Sequence, residues 1–306
     1  MALNIIRGIQ VAPVRAVLYG TEGIGKSTLA AQFPQPIILD TEFGSGRIDC
    51  ARVLCPDAGS LESAMLDLGG DAQGFKTVVI DSADWAERRI IEALIRKAGK
   101  KSIEDFGFGK GYTMVAEACS RILGLADQLV ARGLHVVFVA HSTIKKTSPP
   151  DETDGYDRWE LKLTRQTAPL FKEWSDLLLF CNYKTKLIEG SDGRKKATGG
   201  KTRIMYAERC AAWDAKNRFG LPAEMPMEIG QLAAAISPES QSLADTIAGH
   251  IATAGTVARL GKIGDRIDQL VSEDKITADE WSQLTDAIKA RHDDLEPATA
   301  EEAAVE

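Results

Sequence analysis

Eight consecutive residues, Gly20-Thr21-Glu22-Gly23-Ile24-Gly25-Lys26-Ser27, constrain this chain more than any other feature. An apolar run, Val14–Tyr19, leads into them, and a segment with Leu29 and Phe33 at helical spacing follows. A buried strand, a glycine-rich turn and a helix in that order call for a sheet whose strand ends open into helices. The residues match G-x-x-x-x-G-K-[ST], where glycines let backbone N–H groups curve around phosphate oxygens. The amino terminus of the following helix adds favourable partial charge. In this role Gly20 to Thr28 cradle the phosphates, Lys26 reaches the terminal ones and Ser27 ligates Mg²⁺. The expected ligand is ATP with Mg²⁺.

The rest of residues 14–235 alternates strand-like and helical stretches, the pattern of an α/β fold with a mostly parallel sheet. Strands are expected at Val14–Tyr19, Ile37–Asp40, Thr77–Asp81, Val136–Ala140, Asp176–Cys181 and Thr202–Tyr206. Two helices fall between the third and fourth, near Trp85–Lys97 and Tyr112–Arg132. The last two strands flank a polar turn, EGSDGRKKATGG, and read as a β-hairpin at the sheet edge. The expected division is an ATPase core over 1–236, a helical region over 237–292 and an acidic disordered tail over 293–306. In the helical region Thr277 and Glu280 form a capping box, and Ile276 with Trp281 a hydrophobic staple.

Composition matters at three points. The longest clean apolar run, Leu134–Ala140, is far short of the roughly 18 residues that span a membrane. The first ten residues are broken by Arg7 and Gly8 and lack a signal peptide's apolar stretch, so a cytoplasmic location is expected. Five scattered cysteines, without a C-x-x-C pair, read as reduced thiols and indicate no zinc site. The net charge of −7 is concentrated: residues 237–306 hold 15 acidic and 6 basic side chains, leaving 29 acidic and 31 basic in the body. A DNA-binding surface on the body therefore stays open, and the tail can act either as a competitor for that surface or as a solubility aid.

Two carboxylates complete the loop's chemistry. Asp81 ends the apolar strand Thr77–Asp81, where an aspartate supports the metal beside a phosphate loop. Glu42 follows Ile37–Asp40 at the carboxyl edge of the sheet, where it can activate the attacking water; a solvated loop acid is the plain alternative.

The succession GTEGIGKST, ILDTE, VVIDSA and HVVFVAHST resembles RecA-superfamily ATPases, and specifically phage-encoded RecA-like proteins linked to single-strand annealing. The resemblance covers residues 14–230. It implies that Glu42 is the catalytic base and that His141, where bacterial RecA usually has glutamine, senses the terminal phosphate; a packed strand-end histidine is the alternative. It implies a first DNA loop over Lys100–Tyr112, with Lys100, Lys101 and Lys110. A second falls over Ser142–Thr167, with Lys145, Lys146, Arg158, Lys162 and Arg165, and with Tyr156 or Trp159 to stack on bases. The alternative is a solvated charged loop. Lys216 and Arg218 resemble the basic pair that crosses a RecA subunit interface to the neighbour's ATP, or else are surface charges. By the same resemblance, Leu3, Ile5 and Ile6 are expected to serve as a short strand-like handle for assembly.

The implied protein is an oligomeric ATPase, a filament or ring with ATP at its interfaces. It binds single-stranded DNA, promotes annealing or pairing, and has a single-strand-binding protein as a further partner. A helicase-like motor and a nucleotide-gated scaffold without DNA binding are the competing readings.

Overall fold

The structure is a computed structural model that describes residues 12–148, 155–189, 195–236, 243–273 and 275–295. The chain divides into two compact units, Met1–Ile236 and Ser237–Glu306. The first runs β1 (Arg15–Gly20), α1 (Lys26–Ala30), β2 (Pro36–Asp40), β3 (Ala51–Leu54), α2 (Ala58–Gly70), β4 (Thr77–Asp81), α3 (Ala83–Ala98) and α4 (Lys110–Ala131). It continues through β5 (His135–Thr147), β6 (Tyr156–Leu161), α5 (Ala168–Trp174), β7 (Leu177–Glu189), β8 (Lys195–Tyr206), β9 (Lys216–Asn217), β10 (Glu224–Pro226) and α6 (Ala233–Ile236).

The strands order as β10-β8-β7-β1-β5-β4-β2-β3, with β6 attached to β5 and β9 to β7. From β7 to β3 every pairing along that path is parallel, whereas β8 and β10 join antiparallel. This is the α/β core with a mostly parallel sheet that the sequence pattern implies. One strand, β5, separates the strand entering the glycine loop from the strand ending in Asp81.

Both faces of the sheet are covered, which is why its strands read as continuous apolar runs. Val17 and Tyr19 face one side with Ile80, Phe138 and Phe180, where α2, α3 and α4 supply Leu61, Ile90, Val115 and Ile122. Ala16 and Leu18 face the other with Ile38, Val79 and Val137, against Leu29 of α1 and Ala235 of α6. Each such large apolar side chain, fully buried, contributes about 1.5–3 kcal/mol. The central strands are therefore the best-anchored part of the unit.

Four differences from the sequence expectations stand out. Strand β3 and helix α2 were not foreseen; α2 starts at a capping box in which Asp57 and Ser60 exchange hydrogen bonds. The hairpin β7–β8 is present, but β7 also pairs with β1, so it lies inside the sheet and β10 closes that edge. The helix after the glycine loop, α1, has only five residues, so its dipole adds little. The fourth concerns the expected second DNA loop. Strand β5 runs on to Thr147 and pairs with β6 as an antiparallel hairpin, from Ser142 opposite Leu161 to Thr147 opposite Tyr156. Residues 149–154, the middle of that segment, lie outside the described residues, as do 190–194 of the other hairpin and the handle at Leu3, Ile5 and Ile6.

On that hairpin Arg158 is only 6% exposed and forms an ion pair with Asp214. Lys172 bridges Glu160 and Asp214, at 2.5 Å to each. Trp159 packs with Phe180 at 5.8 Å between ring centres. Arg158 thus belongs to the core, which corrects its expected contact with phosphate, while Trp159 is half-buried against the core.

The second unit holds α7 (Leu243–Ala252), α8 (Val257–Ser272) and α9 (Ala278–Leu295), packed around Ile251, Leu260, Ile267 and Leu284. The capping box is formed: Glu280 Oε2 accepts from Thr277 N at 2.9 Å, and Glu280 N donates to Thr277 Oγ1 at 3.3 Å. Trp281 is 41% exposed, and its indole N–H donates to Asp268 of α8 at 3.2 Å. Helix α9 continues to Leu295, past the expected start of the tail, and residues 296–306 lie outside the described set.

The buried ion network yields a prediction. Replacing Arg158 by Ala removes a buried charged hydrogen bond to Asp214 while Lys172 still pairs with that carboxylate, which costs about 1.5–3 kcal/mol. Thermal or urea unfolding of Arg158→Ala should show that loss, whereas an unchanged midpoint would return Arg158 to the surface.

Candidate functional site

Gly20 lies between two strands, level with His141 of β5 on one side and Cys181 of β7 on the other. A Cβ on Gly20 would sit 1.9 Å from the Cys181 carbonyl oxygen, so no other residue fits there. The chain turns out of the sheet through Gly25, whose φ of 103° is a left-handed conformation that strains other residues. Lys26 is 5% exposed, and its ammonium donates to the carbonyls of Gly20 at 3.0 Å and Thr21 at 2.8 Å. Burial lowers its pKa, against the pull of Cys181, Asp84, Asp81 and Glu42.

On the flank of β1 toward β5 the structure gathers the acidic partners. Asp81 is 5% exposed, and burial pushes its pKa from 3.8 up to about 6. A hydrogen bond from Ser27 opposes that shift, while the nearby charges of Glu42 and Asp40 add to it. Asp40 is buried and accepts backbone N–H bonds from Glu42, Phe43 and Ser45, at 3.2, 2.6 and 3.0 Å. Thr41 ties this turn to the end of β4: its hydroxyl donates to Ser82 O and accepts from Ser82 N, both at 3.0 Å. Glu42 is thereby fixed over the carboxyl edge, where its Oε2 accepts from Ser82 Oγ at 3.3 Å and lies 4.0 Å from His141 Nε2.

His141 is fixed twice by one side chain. Its backbone N–H donates to Asp84 Oδ1 at 3.0 Å, and its Nδ1 lies 2.8 Å from Asp84 Oδ2. The hydrogen bond to Asp84 raises the histidine pKa, against desolvation and Lys26. Asp84 itself is opposed by burial, yet its bonds with His141 hold it below the usual carboxylate range. Sequence reasoning passed over Asp84. The available signal was its place three residues after Asp81, in the first turn of α3, where a carboxylate can reach back over the strand ends.

Gly20, Lys26, Ser27, Asp81, Glu42 and His141, foreseen separately, thus come together at one end of the sheet. Lys216 and Arg218 do not join them. Lys216 pairs with Leu178, which is level with Val17, three strand residues or roughly 10 Å below Gly20. Its ammonium donates to the carbonyls of Lys172 and Glu173, and Arg218 pairs with Asp176 at 2.6 Å. Both cations are engaged by acceptors of their own chain, Arg218 in an ion pair at the surface. Lys100, Lys101, Lys110, Lys145, Lys146, Lys162 and Arg165 are exposed. Lys162 meets Glu22 of the glycine loop at 3.3 Å. The stretch Lys100–Tyr112 holds a short helical turn and carries Phe108 fully exposed at its tip.

The donor set suits a phosphate and a hard divalent cation. Thr21 Oγ1 is buried with no hydrogen-bond partner, inside a turn bounded by glycines. The Lys26 ammonium is held by carbonyls that a more negative ligand can replace. Ser27 and Asp81 place two oxygen ligands side by side, the type Mg²⁺ prefers. The fold and this loop define the class: a P-loop NTPase domain.

A family model for the AAA domain matches residues 12–219, and the chain belongs to that family. Among solved structures, the chain is similar to a KaiC-like protein from the hyperthermophilic archaeon Pyrococcus horikoshii OT3. That match has 13% identity and a TM-score of 0.38, covering 70% of this chain and 85% of the other. No curated protein matches the sequence. Among the described residues no helix is long and apolar enough to cross a membrane.

The raised pKa of Asp81 has a measurable sign. The folded state holds this proton more tightly than the unfolded chain, so its contribution to stability is full below a pH of about 4 and is lost as the pH rises to about 6. Without nucleotide, Asp81→Asn should be more stable than the wild type at pH 8, by roughly 2–3 kcal/mol. The gain should shrink as the pH falls through about 6 and vanish near the ordinary carboxylate pKa of about 4. Thermal unfolding at both ends of that range checks it.

Proposed function

We propose that this protein is a Mg²⁺-dependent ATPase that binds single-stranded DNA and promotes annealing or homologous pairing as an oligomer, in a filament or ring with ATP at the subunit interfaces. The observation that carries this reading is the position of His141. It is level with Gly20 of the phosphate loop, lies 4.0 Å from Glu42, and is the last residue of β5 before that strand enters its hairpin with β6. A change at the terminal phosphate therefore has a covalent route into the segment that carries Lys145 and Lys146.

In this reading Gly20 to Thr28 hold the phosphates, and Lys26 exchanges its loop carbonyls for the terminal phosphate oxygens. Ser27 and Asp81 would hold the metal, which would neutralise phosphate charge and favour the ionised form of Asp81. Glu42, oriented by Asp40 and Ser82, takes a proton from the attacking water. His141, whose pKa Asp84 raises, donates toward the terminal phosphate. Lys145 and Lys146 on the hairpin, with Lys100, Lys101 and Lys110 on the other loop, supply positive charge to a nucleic-acid backbone without reading sequence. The reading places the protein in the cytoplasm of a bacterial host, with a phage origin and a single-strand-binding protein as a further partner.

Two measurements test it. Glu42→Gln should retain ATP and lose turnover by about a hundredfold or more. Wild-type turnover in that variant removes Glu42 from the chemistry. Single-stranded DNA should stimulate wild-type ATP turnover, and replacing Lys145 and Lys146 by Ala should abolish the stimulation without lowering the basal rate. Absence of any stimulation favours the nucleotide-gated scaffold.

A further inference from the structure

The two flanks of β1 differ chemically. Asp81, Glu42 and His141 come from β4, β2 and β5, all on one side of the phosphate loop in the sheet order. A triphosphate that presents its terminal phosphates to that side must run back across the loop toward β7 and β8. Its α-phosphate and nucleoside then lie beside the β7–β8 hairpin.

Among the described residues of that hairpin, Arg203 is the cation in contact with the phosphate loop. Cys181 is level with Gly20, and two residues further along β7 Tyr183 pairs with Arg203 of β8, just beyond the carboxyl edge of β1. Arg203 Nη1 donates to the Ile24 carbonyl of the phosphate loop at 3.3 Å. An ideal Cβ on Gly25 would come within 2.8 Å of the same nitrogen, so the guanidinium lies directly against the loop because residue 25 has no side chain. Among the described residues no carboxylate pairs with Arg203, unlike Arg15, Arg158 and Arg218. A guanidinium carries five donors, and a 3.3 Å contact with a neutral carbonyl is long and weak. An anionic oxygen beside it is a stronger acceptor.

We propose that Arg203 binds the nucleoside end of the nucleotide in its own chain, donating to the α-phosphate. This inference rests on the phosphate-loop reading above and adds to it a residue from the opposite flank of the sheet. Because the α-phosphate is common to both nucleotides, Arg203 serves ATP and ADP alike. It holds the nucleotide through hydrolysis rather than sensing the terminal phosphate.

The test compares dissociation constants for ATP and ADP, each with Mg²⁺, in the wild type, Arg203→Ala, Arg203→Gln and Arg203→Lys, with thermal unfolding as the check on folding. Arg203→Ala and Arg203→Gln should each weaken ATP and ADP equally, by about tenfold, with Arg203→Lys between them and the wild type. Whichever neutral variant keeps the wild-type melting temperature decides the matter. Affinities within about twofold of wild type for both nucleotides overturn the proposal. So does a loss confined to ATP, which would place Arg203 at the terminal phosphate. If the wild type binds neither nucleotide, the phosphate-loop reading fails and this inference with it. Wild-type binding that the variants leave intact removes Arg203 alone.

Discussion

The close passage of β1 between β5 and β7 sets the geometry of this molecule. Gly20 has the Cys181 carbonyl where a side chain would stand, so the strand can pass only because it carries none. The chain then leaves the sheet in one direction, through a left-handed Gly25 into a helix of five residues. Since β5 and β7 are aligned in parallel with β1, His141 and Cys181, both level with Gly20, frame the turn from both sides. The acidic flank and the Arg203 flank both follow from that register.

The cost of the arrangement is electrostatic. Asp40, Asp81, Asp84 and Glu42 crowd one edge of the sheet, and three of them are largely buried. Two are stabilised locally: Asp40 by the N–H groups of its own turn, Asp84 by His141. Asp81 has only the bond from Ser27, and its proton is held up to about 6 as a result. A buried carboxylate left that short of partners lowers the stability of the protein alone, and a bound cation reverses the sign. Such an under-satisfied group in an otherwise well-packed core marks a ligand site more firmly than a pocket would.

The sequence was most legible where physics is local. The glycine spacing, the apolar runs of β1, β2 and β4, and the carboxylate ending β4 place the phosphate loop and Asp81 without tertiary information. The capping box at Thr277 was readable for the same reason, since four consecutive residues define it. Arg158 shows where this fails: in the sequence it is one more cation in a polar stretch, and only the distant Asp214 makes it a core residue. Lys216 and Arg218 likewise find their acceptors some 40 residues away, in α5 and the turn before β7. Strand β3 was missed because four residues on a half-exposed edge carry almost no periodicity. Arg203 could not be read as a site residue, because its meaning depends on the pairing of β7 with both β1 and β8.

The account turns on whether this loop holds a triphosphate. Calorimetric titration of the wild-type protein with ATP, in the presence and absence of Mg²⁺, is the most direct measurement. The structure predicts one nucleotide per chain, bound more tightly with the metal than without it. No heat of binding under either condition, in a protein that unfolds cooperatively, would contradict it.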